Sequence, residues 1–196
     1  MTARIVIAED EAIIRMDLRE MLEEEGYEVV GEAADGEDAM RLAEELRPDL
    51  VILDIVMPQT DGLTAAEHIV EQELAAVLIL TAFSHRDKVA RATRAGVMAY
   101  LVKPFDKADL VPAIEVAVQR WNEARVLANE SKNLTERLET RKLVERAKGV
   151  LRDRHGLSEE DAFRLIQRIS MERGMPMRKV ADRLLDGDVW NGRMLS

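Results

Sequence analysis

The first 120 residues alternate five times between a short apolar run and a segment with helical spacing. The runs are rich in Val, Ile and Leu and cover residues 4–8, 27–33, 50–53, 77–80 and 98–102. The segments that follow place apolar residues three or four apart, as amphipathic helices do, over 12–25, 36–46, 63–72, 87–95 and onward from about 106. Because right-handed helical crossovers join strands of this kind, the pattern predicts an α/β fold with a five-stranded, doubly wound parallel sheet.

The composition excludes several classes of protein. The 196 residues include no cysteine, which excludes disulfide scaffolds, zinc–thiolate sites and thiol catalysis. The acidic residues at 9–11 interrupt the first apolar run, so it does not resemble a signal peptide. No apolar run approaches the roughly 18 residues of a membrane helix. We therefore expect a soluble, cytoplasmic protein that makes no membrane contact.

Polar side chains follow four of the five predicted strands, at the point where each strand ends. They are Glu9 and Asp10 after the first run, Asp54 after the third, Thr81 after the fourth and Lys103 after the fifth. The carboxyl ends of parallel strands share one edge of the sheet, and ligands bind there. A hard divalent cation with oxygen ligands offsets the repulsion between clustered carboxylates. The sequence therefore predicts a Mg²⁺ site at this edge.

These segments resemble the receiver domain of two-component response regulators. The resemblance covers about residues 1–120 and rests on Glu9-Asp10, Leu53–Pro58, Asp61-Gly62, Thr81-Ala82, Tyr100 and Lys103-Pro104-Phe105. It implies that Asp54 accepts a phosphoryl group from a sensor histidine kinase. It also implies that Glu9, Asp10, Asp54 and the backbone carbonyl of Val56 hold Mg²⁺. Glu9 stands where the family often has Asp.

The same resemblance implies roles for three further residues. Lys103 places positive charge beside the phosphoryl group, and the peptide bond before Pro104 is cis. Thr81 hydrogen-bonds the phosphoryl group and Tyr100 turns inward, which is the family's switch. By this interpretation the protein is a signalling regulator rather than an enzyme, although the receiver assists its own phosphorylation and dephosphorylation.

Beyond residue 120 the charge balance changes sign. Residues 1–120 carry 12 Lys and Arg against 25 Asp and Glu, a net charge of −13, whereas residues 121–196 carry 16 against 13, a net charge of +3. This change suggests two modules with different partners. We expect a first domain over residues 1–120, a helical linker over 121–139, a small all-α three-helix bundle over 140–186 and a tail over 187–196.

The linker region has the pattern of an unusually long helix. Residues 113–148 contain neither Gly nor Pro. Within them Ser131 and the apolar residues at 124, 127, 134 and 138 follow heptad spacing. A short coiled coil between two copies and a linker helix that lies on its own chain both explain this pattern. We expect Gly149 to interrupt the next helix, Ser158 to cap the one after it and Pro176 to open the last one.

The second half of the chain resembles the ANTAR domain, the RNA-binding module of transcription antitermination regulators. The resemblance spans roughly residues 125–186 and rests on residues 147–151, 156–163 and 180–181. It implies a phosphorylation-dependent antitermination regulator that binds a pair of RNA stem–loops through two protomers. Homodimer formation on activation is then expected.

Six basic residues lie within fourteen positions at the start of the predicted bundle. Arg141, Lys148 and Arg152 are spaced by seven and four, so they share one helical face that can follow RNA phosphates. Gly149 costs up to about 1 kcal/mol relative to Ala in a helix, which close approach by RNA or another helix would explain. The candidate RNA contacts are Arg141, Arg146, Lys148, Gly149 and Arg152.

The sequence is also compatible with two other functions. A bundle of three C-terminal helices is compatible with a DNA-binding transcription factor, although the last helix has few side chains that could read bases. A receiver that acts only as a phosphate sink would leave the basic residues as an ordinary solvated surface. Binding to structured RNA rather than duplex DNA, with strong salt dependence, would exclude both.

Overall fold

A computed structural model of the chain describes residues 2–82 and 96–186. The chain divides into two compact units, Met1–Arg125 and Val126–Ser196. The predicted helix at 87–95 and the predicted tail at 187–196 lie outside the described residues. Among the helices that are described, none combines the length and the apolar character needed to cross a membrane.

The first unit alternates strands and helices. Its strands are β1 (Arg4–Ala8), β2 (Glu28–Ala33), β3 (Leu50–Asp54), β4 (Ala76–Thr81) and β5 (Ala99–Val102). Its helices are α1 (Ala12–Glu24), α2 (Gly36–Leu46), α3 (Gly62–Glu71) and the beginning of α4 (Lys107–His155). The described elements begin and end within a residue or so of the positions that the apolar pattern predicts.

The sheet has the strand order β2-β1-β3-β4-β5, and all of its neighbouring strands are parallel. After β2 the chain returns past β1 to form β3, so the direction of winding reverses between β1 and β3. This confirms the predicted five-stranded, doubly wound parallel sheet. It also makes the carboxyl ends of β1 and β3 the switch point at which ligands bind in such sheets.

Both faces of the sheet are covered, which explains the continuous apolar run in β3. Val51 and Leu53 lie in a core formed with α2 and α3, whereas Ile52 lies in a second core formed with α1 and α4. Successive side chains alternate in this way because a strand has a period of two. A strand buried on both faces reads as a nearly continuous apolar run, and the four apolar residues of β3, at positions 50–53, are each 0% exposed.

The second unit is helical. It contains the later part of α4, then α5 (Glu159–Glu172) and α6 (Met177–Leu185). The hydroxyl of Ser158 accepts a hydrogen bond of 3.1 Å from the backbone N–H of Asp161, which confirms the predicted helix cap. The three helices share an apolar core that includes Val144, Leu151 and Ile166. The expected small bundle after a long helix is therefore present.

The prediction that Gly149 interrupts a helix is wrong, because α4 runs without a break from Lys107 to His155. One glycine costs only about 1 kcal/mol relative to Ala. Burial of its neighbours Ala147 and Leu151 in the core of the second unit outweighs that cost. The helix ends at His155, and Gly156 follows it with a positive φ of 68°.

Candidate functional site

Three carboxylates meet at the switch point between β1 and β3. Glu9 and Asp10 directly follow β1, and Asp54 is the last residue of β3. One carboxylate oxygen from each of these residues lies within 4.8 Å of the other two. Glu9 and Asp54 are buried, whereas Asp10 is exposed to solvent. The structure thus brings together the three acidic side chains that the sequence predicted for a metal site.

One ammonium group faces these carboxylates. Lys103 follows β5, and its Nζ lies 2.5 Å from Oε2 of Glu9 and 3.4 Å from Oδ2 of Asp54. The backbone N–H of Lys103 donates a hydrogen bond of 2.8 Å to the carbonyl oxygen of Thr81, which extends the pairing of β4 with β5. The peptide bond between Lys103 and Pro104 is cis, as the resemblance implied.

The site holds more negative charge than its ammonium group offsets. Burial raises the pKa of Glu9, although the hydrogen bond from Lys103 opposes the rise. Burial also raises the pKa of Asp54, and the nearby charge of Lys103 again opposes this. Among the described residues, the carboxylates of Glu9, Asp10 and Asp54 and the ammonium of Lys103 sum to a net charge of −2 when all are ionised. A divalent cation with oxygen ligands neutralises that charge, so the donor set fits Mg²⁺.

The loop after β3 is held against the end of that strand. The backbone N–H of Ile55 donates to Oδ1 of Asp54 at 2.9 Å, and the N–H of Gly62 donates to the carbonyl of Ile55 at 3.1 Å. A Cβ atom at Gly62 would overlap the carbonyl oxygen of Asp54. Only glycine therefore lets α3 begin directly behind Asp54. Val56, the predicted source of a backbone ligand, lies in this loop with its side chain exposed.

The two predicted switch residues lie on neighbouring strands. Thr81 ends β4 and is only 3% exposed, whereas Tyr100 lies in β5 and is 53% exposed. The register pairs Asp54 with Leu80, so Thr81 is one residue beyond the position opposite Asp54. Thr81 is thus buried at the edge that carries Asp54, and Tyr100 is accessible to solvent.

A second set of charged residues lies behind Glu9, and sequence reasoning missed it. Nη1 of Arg15 on α1 donates a hydrogen bond of 2.5 Å to the carbonyl oxygen of Glu9. Nε of Arg15 lies 3.4 Å from Glu32 on β2, whose carboxylate also pairs with Arg19 at 2.6 Å. The four-residue spacing of Arg15 and Arg19 indicates a shared helical face, but it does not indicate their partner on another element.

The basic residues predicted to bind RNA differ in exposure. Arg141, Arg146 and Arg152 are exposed on α4. Lys148 is only 7% exposed, and its Nζ lies 2.9 Å from Glu145 and 2.8 Å from Glu159. The ammonium group of Lys148 joins α4 to the first turn of α5. Of the three residues expected to share an RNA-binding face, only Arg141 and Arg152 are therefore exposed.

The same contacts affect two titratable groups. Hydrogen bonds to Glu159 and Glu145 raise the pKa of Lys148, and the hydrogen bond from Lys148 lowers the pKa of Glu159. Each group thus favours the charged form of its partner. For Gly149, the next residue, a Cβ would meet no described heavy atom within 4 Å other than its chain neighbours and the adjoining backbone of α4.

Comparison with known proteins matches each half of the chain to a domain family. Residues 5–115 match the response regulator receiver domain, and residues 132–185 match the ANTAR domain. The transcriptional regulatory protein PdtaR of Mycobacterium tuberculosis is 58% identical over 183 residues, which cover 93% of this chain and 89% of PdtaR.

Solved structures resemble the first unit. The signal receiver domain of a modulated diguanylate cyclase from Desulfovibrio desulfuricans has a TM-score of 0.59 at 30% identity, covering 63% of this chain and 99% of that chain. A chain of the CheX–CheY–BeF3–Mg²⁺ complex from Borrelia burgdorferi has a TM-score of 0.54 at 29% identity, covering 57% of this chain and 86% of that chain. With the two domain matches and the similarity to PdtaR along most of the chain, the protein belongs to the two-component response regulators that join a receiver domain to an ANTAR domain.

Proposed function

We propose that a sensor histidine kinase phosphorylates this regulator on Asp54, and that its ANTAR domain then binds RNA stem–loops and prevents transcription termination. The observation that carries the proposal is the meeting of Glu9, Asp10, Asp54 and Lys103 at one point of the sheet. The match of residues 132–185 to the ANTAR domain supports the RNA-binding part.

Asp54 is the nucleophile in this proposal. The hydrogen bond of 2.9 Å from the N–H of Ile55 orients its carboxylate. A carboxylate oxygen forms a bond to phosphorus while the P–N bond of the kinase phosphohistidine breaks. The departing imidazole nitrogen keeps the electron pair and takes up a proton. The ammonium group of Lys103, already 3.4 Å from Asp54, stabilises the negative charge of the phosphoryl oxygens.

Glu9, Asp10 and Asp54, with the backbone carbonyl of Val56, are the residues that would hold Mg²⁺. When bound, Mg²⁺ neutralises charge on the phosphoryl oxygens. The spacing of the carboxylate oxygens within 4.8 Å supports this assignment. The Mg²⁺ in the CheX–CheY–BeF3–Mg²⁺ complex from Borrelia burgdorferi, which contains a chain similar to the first unit, supports it as well.

The switch involves Thr81 and Tyr100. In the phosphorylated state the hydroxyl of Thr81 donates a hydrogen bond to a phosphoryl oxygen. Tyr100 moves inward from the position in which it is 53% exposed. The buried position of Thr81 at the end of β4, one residue beyond the position opposite Asp54, supports this role, because phosphorylation adds acceptor oxygens at that edge of the sheet.

The RNA interface is proposed on α4. The exposed guanidinium groups of Arg141, Arg146 and Arg152 contact RNA phosphates, whereas Lys148 acts by holding α5 against α4. The predicted linker at 121–139 pairs two protomers, so that each presents one bundle to one stem–loop. The leucine side chains that would form this pairing, at 127, 134 and 138, are all at least 60% exposed.

Phosphorylation is tested by incubating the full chain with a small phosphodonor and Mg²⁺ and measuring acid-labile phosphate on the protein. We expect labelling of the unmodified chain and of Asp17→Asn, an exposed carboxylate on α1 that serves as the matched control. Asp54→Asn should retain its circular dichroism spectrum and lose the label. Retention of the label on this variant would overturn the assignment of Asp54.

RNA binding is tested by gel shifts of the phosphorylated chain on paired RNA stem–loops and on duplex DNA. We expect salt-dependent binding to the RNA, with a slope that reflects several phosphate contacts. Binding to the DNA alone would instead support a DNA-binding transcription factor. Binding to neither would support a phosphate sink.

A further inference from the structure

We propose that Arg15 is a positioning residue for the acidic site, because it fixes the backbone of Glu9 so that Glu9 and Asp10 meet Asp54. The inference rests on the proposed function, since it concerns the site of metal binding and phosphorylation. Arg15 itself touches none of the three carboxylates. It acts through the polypeptide backbone.

Both backbone polar groups of Glu9 are engaged by other elements. Its N–H donates a hydrogen bond of 3.2 Å to the carbonyl of Ala33 at the end of β2. Its carbonyl oxygen accepts the hydrogen bond of 2.5 Å from Arg15 on α1. The chain turns here from β1 into α1, over three residues that belong to neither element. The two hydrogen bonds thus fix the peptide planes on either side of Glu9.

Arg15 is held in turn by a carboxylate on a different element. Its Nε lies 3.4 Å from Oε2 of Glu32 on β2, and Oε1 of Glu32 lies 2.6 Å from Arg19. Arg19 also pairs with Glu23 at 2.8 Å. Glu32 therefore lies between two guanidinium groups of α1. This arrangement ties α1 to the edge strand of the sheet.

A guanidinium group suits this task better than an ammonium group. It is planar and presents its donors in fixed directions, so Nε can face Glu32 while Nη1 faces the carbonyl of Glu9. The charge of Arg15 is paired with Glu32. Its contribution to the site is therefore geometric rather than electrostatic, and a lysine should not replace it.

The position of Glu9 matters because its carboxylate is fully buried and in contact with Lys103 at 2.5 Å. A shift of the Glu9 backbone would move that carboxylate and, one residue later, Asp10. Mg²⁺ demands near-ideal octahedral geometry. Groups that only orient metal ligands typically change metal affinity by about 10-fold to 100-fold when they are removed.

The test uses the full chain with Arg15→Lys, Arg15→Gln and Glu32→Gln. The matched control is Arg41→Gln, since Arg41 also bridges two carboxylates, Asp38 and Glu45, but on the exposed surface of α2. Two quantities are measured. One is the Mg²⁺ dissociation constant by calorimetry, and the other is hydrogen exchange of the Glu9 amide in metal-free protein.

We expect both Arg15 variants to weaken Mg²⁺ binding about 10-fold and to speed exchange of the Glu9 amide. Glu32→Gln should cause a smaller change in the same direction, and Arg41→Gln should change neither quantity. Glu32→Gln leaves Arg15 in place, so it keeps the test available if the Arg15 variants do not fold.

Wild-type affinity and wild-type amide exchange in these variants would overturn the positioning role. Normal affinity in Arg15→Lys with weak binding in Arg15→Gln would also overturn it, since charge alone would then suffice. Failure of the unmodified chain to bind Mg²⁺ would instead overturn the proposed metal site. Amide exchange would still show whether Arg15 holds the loop.

Discussion

Glu9 lies 2.5 Å from the ammonium group of Lys103, yet burial still raises its pKa. At Asp54, too, burial is the largest influence on the pKa and the charge of Lys103 opposes it. A single buried carboxylate beside a lysine would pair with it. Here two buried carboxylates share one ammonium group, and neither is fully compensated. The carboxylates of the site therefore favour the binding of cations and protons.

The first prediction concerns pH. Because the pKa values of Glu9 and Asp54 lie above their ordinary values of 4.5 and 3.8, the folded chain binds protons more tightly than the unfolded chain. Without metal, the free energy of unfolding should therefore fall as the pH rises through the raised pKa values. Asp54→Asn removes one of these groups, so its melting temperature at pH 7 should exceed that of the unmodified chain.

Thermal unfolding across pH, with and without Mg²⁺, measures both effects. The advantage of Asp54→Asn should disappear below the ordinary carboxylate pKa, where Asp54 is protonated in both states. Mg²⁺ should stabilise the unmodified chain at pH 7 and lose this effect on acidification, because protons compete for the same oxygens. A lower melting temperature for Asp54→Asn at pH 7 would contradict the prediction.

A second residue-level prediction concerns Gly62. A Cβ atom there would overlap the carbonyl oxygen of Asp54, so Gly62→Ala must displace either the end of β3 or the start of α3. We expect a loss of about 3 kcal/mol in the free energy of unfolding, measured by urea denaturation. Phosphorylation of the folded fraction should also slow, because the displaced atoms adjoin Asp54, the proposed phosphoacceptor. Unchanged stability would contradict the geometry of the β3–α3 loop.

At the scale of elements, α4 shows how packing overrides a local preference. The helix continues through Pro112 and Gly149, although both residues disfavour a helix interior. In the second unit the face of α4 that carries Ala147 and Leu151 is buried in the core. Lys148 also joins α4 to α5 through Glu159. The continuity of the helix at Gly149 is therefore a consequence of the packing of its neighbours in the second unit.

Replacement of Gly149 by Ala tests this balance between local preference and packing. Since a Cβ there would meet no described atom within 4 Å beyond its chain neighbours and the adjoining backbone of α4, Gly149→Ala should stabilise the second unit by about 0.5–1 kcal/mol. Denaturation of the full chain measures the gain, and Gly62→Ala is the glycine control with the opposite expected sign. If RNA approaches the helix closely at this point, the same variant should bind RNA stem–loops more weakly. A loss of stability would contradict the open surroundings of Gly149.

At the scale of the whole molecule, α4 presents leucine side chains that the chain leaves exposed. Leu127 is 65% exposed, and Leu134 and Leu138 are each 60% exposed. Their spacing of seven and four matches a coiled-coil seam. We interpret this stripe as the surface through which two activated protomers pair.

The corresponding prediction is that Leu134→Lys combined with Leu138→Lys abolishes dimer formation by the phosphorylated chain. Sedimentation measures the mass. Affinity for a paired stem–loop RNA should fall by about 100-fold, because linked binding of two sites is lost. Ile13→Lys, which changes an exposed apolar residue of α1, should leave both quantities unchanged. A dimer that persists in the double variant would contradict the role of the stripe.

Much of this architecture could be predicted from the sequence because its causes are local or follow from general geometry. Residues 50–53 read as a buried strand because both faces of β3 are covered, and Ser158 reads as a cap because its hydroxyl bonds to the nearby Asp161. Glu9, Asp54 and Lys103 could be placed together because parallel strands end at one edge of the sheet.

Other features depend on contacts between residues that are distant in sequence and that no periodicity encodes. The spacing of Lys148 assigns it to a face of α4, but only the packing of α5 brings Glu159 to its ammonium group. The spacing of Arg15 assigns it to α1, but only the sheet places Glu32 and the carbonyl of Glu9 beside it. The sequence by itself determined the fold and the acidic site, whereas the tertiary structure decided which charged side chains are used to hold the chain together. The physical reason is that the partner of a charged group is set by the packing of whole elements, which bring distant residues within hydrogen-bonding distance.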